Sequence, residues 1–242
     1  MRRPYRLYLL ALSFALGAAS NVLAENPTIT TIDFPGAIST QTWGINARGD
    51  IVGFYVSAGV THGFLLSGGS FTTIDVPGAT STSPSKSNPR ADIVGEYTLA
   101  NGTIHGFLLS GNSFTTIDFP GATFSVATDI NDRGDIVGAY VSAGVRHGFL
   151  LSDGVLTLFD FPGATFTTVD GINARGDIVG RYRDAGNVNH GYLLSGGQFS
   201  TIDFPGATFN GAGGINPRGD IVGRYIAAGV FHGFLLSREE GR

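Results

Sequence analysis

A five-residue motif, Asp-Phe-Pro-Gly-Ala, recurs along the chain at intervals of 42 or 43 residues and constrains the fold more than any other feature. Two further blocks repeat in the same register: Gly-Ile-Asn-x-Arg-Gly-Asp-Ile-Val-Gly and His-Gly-(Phe/Tyr)-Leu-Leu-Ser. Self-similarity at this period is typical of repeat architectures in which each unit is one supersecondary element. Five such units account for residues 28–237.

Each unit has the pattern of four short antiparallel strands, which in the first unit cover 42–46, 50–55, 62–67 and 71–76. These runs are rich in Val, Ile, Phe, Tyr and Thr, the residues that favour half-buried pleated surfaces. Asn46 opens a turn that Gly49 closes, and Gly68-Gly69 is typical of a two-residue hairpin loop. The sequence therefore predicts an all-β chain without helices after its first segment.

Four antiparallel strands repeated every 40 to 50 residues indicate a β-propeller blade. The repeat begins with a lone fourth strand, 28–34, and ends after a third strand within 213–237. We therefore expect a five-bladed propeller in which the strand at 28–34 pairs with the strands of 213–237 and closes the ring. This closure would leave neither end as an open sheet edge. The predicted single domain spans 28–237 and is followed by a tail, 238–242.

The first 24 residues have the pattern of a secretory signal peptide, with arginines, an apolar stretch and small residues at Val22 and Ala24. Cleavage after Ala24 would give a secreted or periplasmic protein. No later segment is apolar for long enough to span a membrane. The formal net charge of −4 becomes more negative once the three leading arginines are removed, which argues against a nucleic-acid partner.

The block Gly-Ile-Asn-x-Arg-Gly-Asp-Ile-Val-Gly, followed by Tyr and His-Gly-Phe-Leu, resembles the bacterial extracellular HAF-type repeat, which is named for a His-Ala-Phe core. Glycine stands where that core has alanine, at Gly63 and its four equivalents. The resemblance covers all five units. It implies an exported repeat protein, and it implies no activity and no site residues.

Counting the register outward from the two-residue loop places each histidine of the chain opposite an aspartate on the neighbouring strand end. An aspartate there favours the protonated imidazole and fixes the strand end, so the pairs are predicted to be structural latches. The predicted pairs are His62 with Asp75, His105 with Asp118, His147 with Asp160, His190 with Asp203 and, through ring closure, His232 with Asp33.

Fivefold repetition argues against catalysis by these pairs, because an active site needs one asymmetric arrangement of nucleophile, base and oxyanion donors. Histidines of neighbouring units would lie too far apart to share one metal ion, and the chain has no cysteine. We therefore predict no catalytic residue, no metal site and no cofactor.

Aromatic residues recur at the face that carries the loops between units, and they could form a ligand rim. The speculative rim comprises Phe124, Phe166, Phe209, Tyr140, Tyr182 and Tyr225. Rings of this kind stack on sugars, although they could equally pack between neighbouring blades.

The functional hypothesis is a monomeric, non-catalytic binding or scaffolding module, with multivalent binding of a surface or matrix glycan as its specific form. An exported glycan hydrolase or lyase and a purely structural surface protein remain alternatives. No carboxylate stands out as lacking equivalents in the other units. The second unit, with Ser87 and Ala91 in place of the usual Ile and Gly, is expected to be the least stable.

Overall fold

The computed structural model describes residues 29–237, and every regular element in this range is a β-strand. The predicted signal peptide at 1–24, Thr28 and the predicted tail at 238–242 lie outside the described residues. Between residues 29 and 237 there is no helix long and apolar enough to cross a membrane. The all-β prediction is therefore confirmed for the described range.

The nineteen strands fall into five consecutive units. Unit 1 contains β1 (Ser39–Ile45), β2 (Ile51–Ser57), β3 (Val60–Ser67) and β4 (Ser70–Ile74). Unit 2 contains β5 (Ser81–Ser87), β6 (Ile93–Thr98), β7 (Ile104–Ser110) and β8 (Ser113–Ile117). Unit 3 contains β9 (Phe124–Ile130), β10 (Ile136–Ser142), β11 (Val145–Ser152) and β12 (Val155–Phe159). Unit 4 contains β13 (Phe166–Ile172), β14 (Ile178–Arg183), β15 (Asn189–Ser195) and β16 (Gln198–Ile202), and unit 5 contains β17 (Phe209–Ile215), β18 (Ile221–Ala227) and β19 (Val230–Leu236).

Within each unit every strand pairs antiparallel with the next, so the order along the chain is also the order across the sheet. The first strand of each unit contacts the first strand of the following unit, which makes β1, β5, β9, β13 and β17 the inner strands. Each inner strand also carries a β-bulge where it pairs with the second strand. The bulge matters for the site because it re-aims the side chain of the extra residue.

The predicted turn chemistry agrees with the backbone. Gly68 and Gly69 both have positive φ, 55° and 79°, and Ser67 pairs with Ser70 across the loop as expected. Gly49 closes its turn with φ of 83°, and Ala91 takes the equivalent conformation in unit 2 with φ of 67°. Alanine adopts this left-handed region only at a cost in energy that glycine does not incur.

Apolar side chains form one buried cluster at each junction between consecutive units. At the first junction Val52 of unit 1 packs with Ile93 and Phe107 of unit 2, and all three are fully or almost fully buried. The next three junctions repeat this arrangement. In unit 2, however, the hydroxyl of buried Ser87 has no hydrogen-bond partner, which fits the expectation of a weaker unit.

The expected ring closure is not present. Residues 29–34 lie outside every strand, and β19 pairs only with β18 in the described range. No contact comparable to those between the other inner strands joins β17 to β1. Consequently Val222 is 54% exposed, whereas its equivalent Val52 is 0% exposed.

Candidate functional site

Asparagine side chains link the five units at the turns that follow the inner strands. Asn46 accepts hydrogen bonds from the backbone N–H of Arg48 and Asp50, at 2.9 and 3.0 Å, which shapes its own turn. Its Nδ2 also donates to the carbonyl oxygen of Asn88 in unit 2, at 3.1 Å. The same contact joins Asn88 to Asn131, Asn131 to Asn173 and Asn173 to Asn216, at 3.0 to 3.4 Å. This asparagine ladder is structural, and in units 1 to 4 it occupies the side-chain amide with contacts inside the turn and to the next unit.

The structure brings four of the five predicted histidine–aspartate pairs together. The Nδ1 atom lies 2.9 Å from the aspartate carboxylate in His62–Asp75 and in His105–Asp118. The same distance is 2.8 Å in His147–Asp160 and His190–Asp203. The role of these pairs as latches stays a prediction.

The fifth histidine–aspartate pair is not formed. His232 packs against the ring of Tyr225, and no hydrogen bond or ion pair between His232 and Asp33 occurs among residues 29–237. This prediction depended on ring closure, and it fails with it.

One histidine has two carboxylate partners. His190 Nε2 lies 3.3 Å from Asp184 Oδ2, in addition to the contact between Nδ1 and Asp203. Burial lowers the pKa of His190, but the hydrogen bonds to Asp203 and Asp184 more than offset this, and the net pKa is raised. The surroundings of His190 therefore favour its protonated form.

The three tyrosines of the predicted rim lie in stacks between units. Tyr182 is 8% exposed, and its ring lies 3.6 Å from that of Phe161 at an interplanar angle of 2°. Tyr140 and Tyr225 stack in the same way on Phe119 and Phe204. The ring face on which a sugar would stack is thus covered by the phenylalanine of the Asp-Phe-Pro-Gly motif. Of the two interpretations, the structure favours packing for the tyrosines.

The three phenylalanines of the predicted rim lie beside arginines. The guanidinium of Arg146 is 4.8 Å from the ring centroid of Phe124 and 5.6 Å from that of Phe166. The guanidinium of Arg224 lies 5.8 Å from the centroid of Phe209. These cation–π contacts hold each cation over an aromatic face without neutralising it.

An open cavity of about 570 Å³ lies among the inner strands. Unit 1 contributes Trp43, unit 2 Lys86, and unit 4 Asp170 and Arg181. The remaining wall comes from unit 5, namely residues 211–213 and 222–224. Trp43 and Asp170 occupy the bulge position of their strands, so the bulge places both side chains in the same cavity. We call this space the central cavity.

The polar groups of the central cavity differ from unit to unit. The position of Asp170 is held by Trp43, Ser85, Thr128 and Gly213 in the other units. Arg181 corresponds to Phe54, Glu96, Ala139 and Arg224. Arg181 Nε donates to Asp170 Oδ2 at 3.3 Å. The expectation that no carboxylate lacks equivalents is therefore wrong. Asp170 stands at the bulge position of its strand, and no other unit has a carboxylate at this position.

Asp170, which lines the central cavity, and two carboxyl groups that do not line it, Asp129 and Glu96, have raised pKa values. Burial raises the pKa of Asp170, although Arg181, Arg224 and Arg146 partly counteract it. Burial likewise raises the pKa of Asp129 and of Glu96.

The arrangement can hold a ligand by stacking on an aromatic ring and by hydrogen bonds from charged groups. Trp43 is 58% exposed and presents its ring to the cavity. Between residues 29 and 237 no group of three His, Asp or Glu side chains is placed to hold a metal ion.

Comparisons with known proteins show similarity of structure alone. No protein-family model matches the chain, and no curated protein matches it. TolB from Acinetobacter baumannii is 16% identical with a TM-score of 0.57, over 84% of this chain and 55% of that one. A fucose-specific lectin from Aleuria aurantia, 16% identical, gives a TM-score of 0.49 over 84% of this chain and 75% of that one. Dipeptidyl peptidase 4 from Porphyromonas gingivalis is 13% identical and gives 0.48, over 69% and 26%.

The likeness to TolB, of which the chain spans about half the length, supports a shared all-β repeat fold. The other two likenesses add no argument about function. What the protein does therefore has to be inferred from the central cavity itself.

Proposed function

We propose that this protein is an exported, non-catalytic glycan-binding module whose ligand site is the central cavity. The observation that supports this function is the lining of the central cavity, which differs from unit to unit. One exposed tryptophan and several charged hydrogen-bonding groups line this cavity, whose volume is about 570 Å³. Sugars combine an apolar ring face with polar edges, and such a site matches both. We propose one site in the central cavity instead of a multivalent aromatic rim, because phenylalanine rings cover the faces of the three rim tyrosines.

The proposed scaffold is a five-bladed β-propeller in which unit 5 and unit 1 remain unjoined. Five inner strands and four buried junctions support this number of blades. Membership of the HAF-type repeats and export after cleavage behind Ala24 belong to the same proposal, as does a monomeric state. Mass spectrometry of the exported protein checks the cleavage site, and light scattering checks the monomer.

A second candidate is a glycan hydrolase or lyase, and the raised pKa values of Glu96, Asp129 and Asp170 favour it. The contacts of two of these groups favour binding instead. Asp170 is paired with Arg181, and Asp129 accepts the backbone N–H of both Ile130 and Ile172, at 2.9 and 3.0 Å. These carboxyl groups are therefore held in structural contacts.

The test is a glycan panel followed by calorimetry on the full chain and two variants. Trp43→Ala removes the stacking surface and is expected to abolish binding. Val155→Ala changes a side chain that is 65% exposed on β12, outside the cavity, and is the matched control. Absence of binding across the panel would leave only a structural surface protein. Release of sugar products that Asp170→Asn abolishes would establish the hydrolase or lyase.

A further inference from the structure

Among the charged side chains that line the central cavity, cations outnumber anions. Lys86, Arg181 and Arg224 face it with a single carboxylate, Asp170. This excess of positive charge stands out in a chain whose formal net charge is −4. A local excess of one sign of charge concentrates ligands of the opposite charge.

Two of the three cations have no carboxylate bound to them. Asp170 is bonded to Arg181. Arg224 contacts the rings of Phe209 and Phe231, with distances of 5.8 and 5.6 Å to their centroids, and forms no ion pair in the described part of the chain. Lys86 acts on Asp129 through its charge and also forms no ion pair within residues 29–237.

An anion of suitable shape would complete this arrangement. A guanidinium binds a carboxylate with two parallel hydrogen bonds, and an ammonium adds a further charged donor. Trp43, on the opposite strand of the same cavity, offers a ring on which a pyranose could stack. The combination of a stacking ring and free cations distinguishes an acidic sugar from a neutral one.

We propose that the central cavity selects a carboxylate-bearing sugar, such as a hexuronic acid residue of an acidic polysaccharide. This inference rests on the proposed glycan-binding function and names the class of its ligand. Arg224 and Lys86 bind the carboxylate, Arg181 remains paired with Asp170, and Trp43 supports the sugar ring. Sequence reasoning did not identify this site because the three cations come from three different units.

The experiment compares an oligogalacturonate with its fully methyl-esterified form, which has the same sugar ring without the charge. Binding is followed through the fluorescence of Trp43, the one tryptophan in the chain, and by calorimetry. We expect the acid to bind at least about tenfold more tightly than the ester in low salt, because hydrogen bonds to charged groups are the stronger ones. The preference is expected to shrink at high ionic strength.

Arg224→Gln and Lys86→Gln are each expected to remove most of the preference for the acid. Arg218→Gln is the matched control, because this arginine is 78% exposed and lies in a turn outside the cavity. Arg224 is itself exposed, so its variant should fold, which circular dichroism verifies.

Each outcome bears on the inference separately from the proposed function. Equal binding of acid and ester would overturn the acidic-sugar inference while leaving glycan binding intact. Equal losses in Arg224→Gln and Arg218→Gln would also overturn it, since net charge alone would then be responsible. Tighter binding of a sulfated oligosaccharide of equal charge would overturn the assignment to a carboxylate. Failure of every glycan to bind would remove the proposed function itself.

Discussion

The side-chain amide of Asn131 donates to the backbone carbonyl of Asn173, its equivalent in the next unit, at 3.0 Å. Asn131 is only 4% exposed and also bonds Asp135 and the turn backbone. Asn216, at the last position of the ladder, makes the turn contacts but has no following unit to reach. These two residues therefore separate the contribution of the ladder from that of the turn.

Asn131→Ala is expected to lower the free energy of unfolding by about 2–3 kcal/mol, because buried groups left without partners cost about 1–3 kcal/mol. Asn216→Ala should cost roughly 1 kcal/mol less, since it removes only the turn contacts. Urea unfolding of both variants measures the difference. Equal losses would show that the ladder does not contribute to stability.

Ala91→Gly should stabilise the protein by roughly 0.5–1 kcal/mol, because φ of 67° strains an alanine and suits a glycine. The reverse change, Gly49→Ala, tests the same conformation in unit 1, where no atom would crowd the added methyl group. It should destabilise by a similar amount. Thermal unfolding of both variants decides the matter, and a destabilised Ala91→Gly would contradict it.

Gly138→Ala should be strongly destabilising for a different reason. A Cβ atom there would lie 2.0 Å from the carbonyl oxygen of Val126 and 2.6 Å from the ring of Phe149. Neither neighbour is the end of a flexible side chain. We therefore expect the free energy of unfolding to fall by at least the roughly 1–3 kcal/mol that is usual for overpacking. Gly171→Ala is the control, because its nearest neighbours would be 3.5 Å away. Similar unfolding midpoints for the two variants would refute this argument.

Stability should depend on pH through His190. The pKa of His190 is raised in the folded protein. Its contribution to folding stability is therefore complete below the pKa of the unfolded chain, about 6.5, and is lost as pH rises through the pKa of the folded protein. Asp184→Asn removes one carboxylate and retains an acceptor for the N–H of Val188. The wild type should therefore exceed this variant in stability more at pH 5.5 than at pH 8. A difference that does not change with pH would count against the interaction.

The unjoined ends can be tested with engineered cysteines, because the chain has none of its own. His105→Cys with Asp118→Cys places two thiols on bonded strand ends, where a disulfide should form. His232→Cys with Asp33→Cys should remain reduced. Electrophoresis after mild oxidation distinguishes the two, and a disulfide in the second pair would show a closed ring.

The alternation of side chains along strands explains what could be predicted from the sequence. Two-residue loops fixed the register, and the register brought His62 to Asp75 without any knowledge of the rest of the fold. The asparagine ladder was also within reach, since equivalent residues of stacked repeats lie side by side. The recurrence of asparagine at position 46 and its equivalents indicated these contacts between units, but it was interpreted only as a feature of each turn.

The central cavity could not be predicted in the same way. A bulge shifts the alternation by one residue, so period-two counting assigns Trp43 and Asp170 to the wrong side of their strands. The cavity also brings together residues from units that are far apart in the sequence. The spacing between these units depends on the curvature of the whole repeat array. Ring closure is likewise a relation between units at the two ends of the repeat array, which local strand patterns do not determine.

The separation between the asparagine ladder and the bulge positions has a consequence for how such proteins diversify. The asparagine contacts that join neighbouring units involve none of the side chains at positions 43, 86, 170, 181 and 224. Substitutions at these five positions would therefore change the proposed ligand site without removing a contact of the asparagine ladder. In protein design, these five positions could be varied while the rest of the chain is kept unchanged.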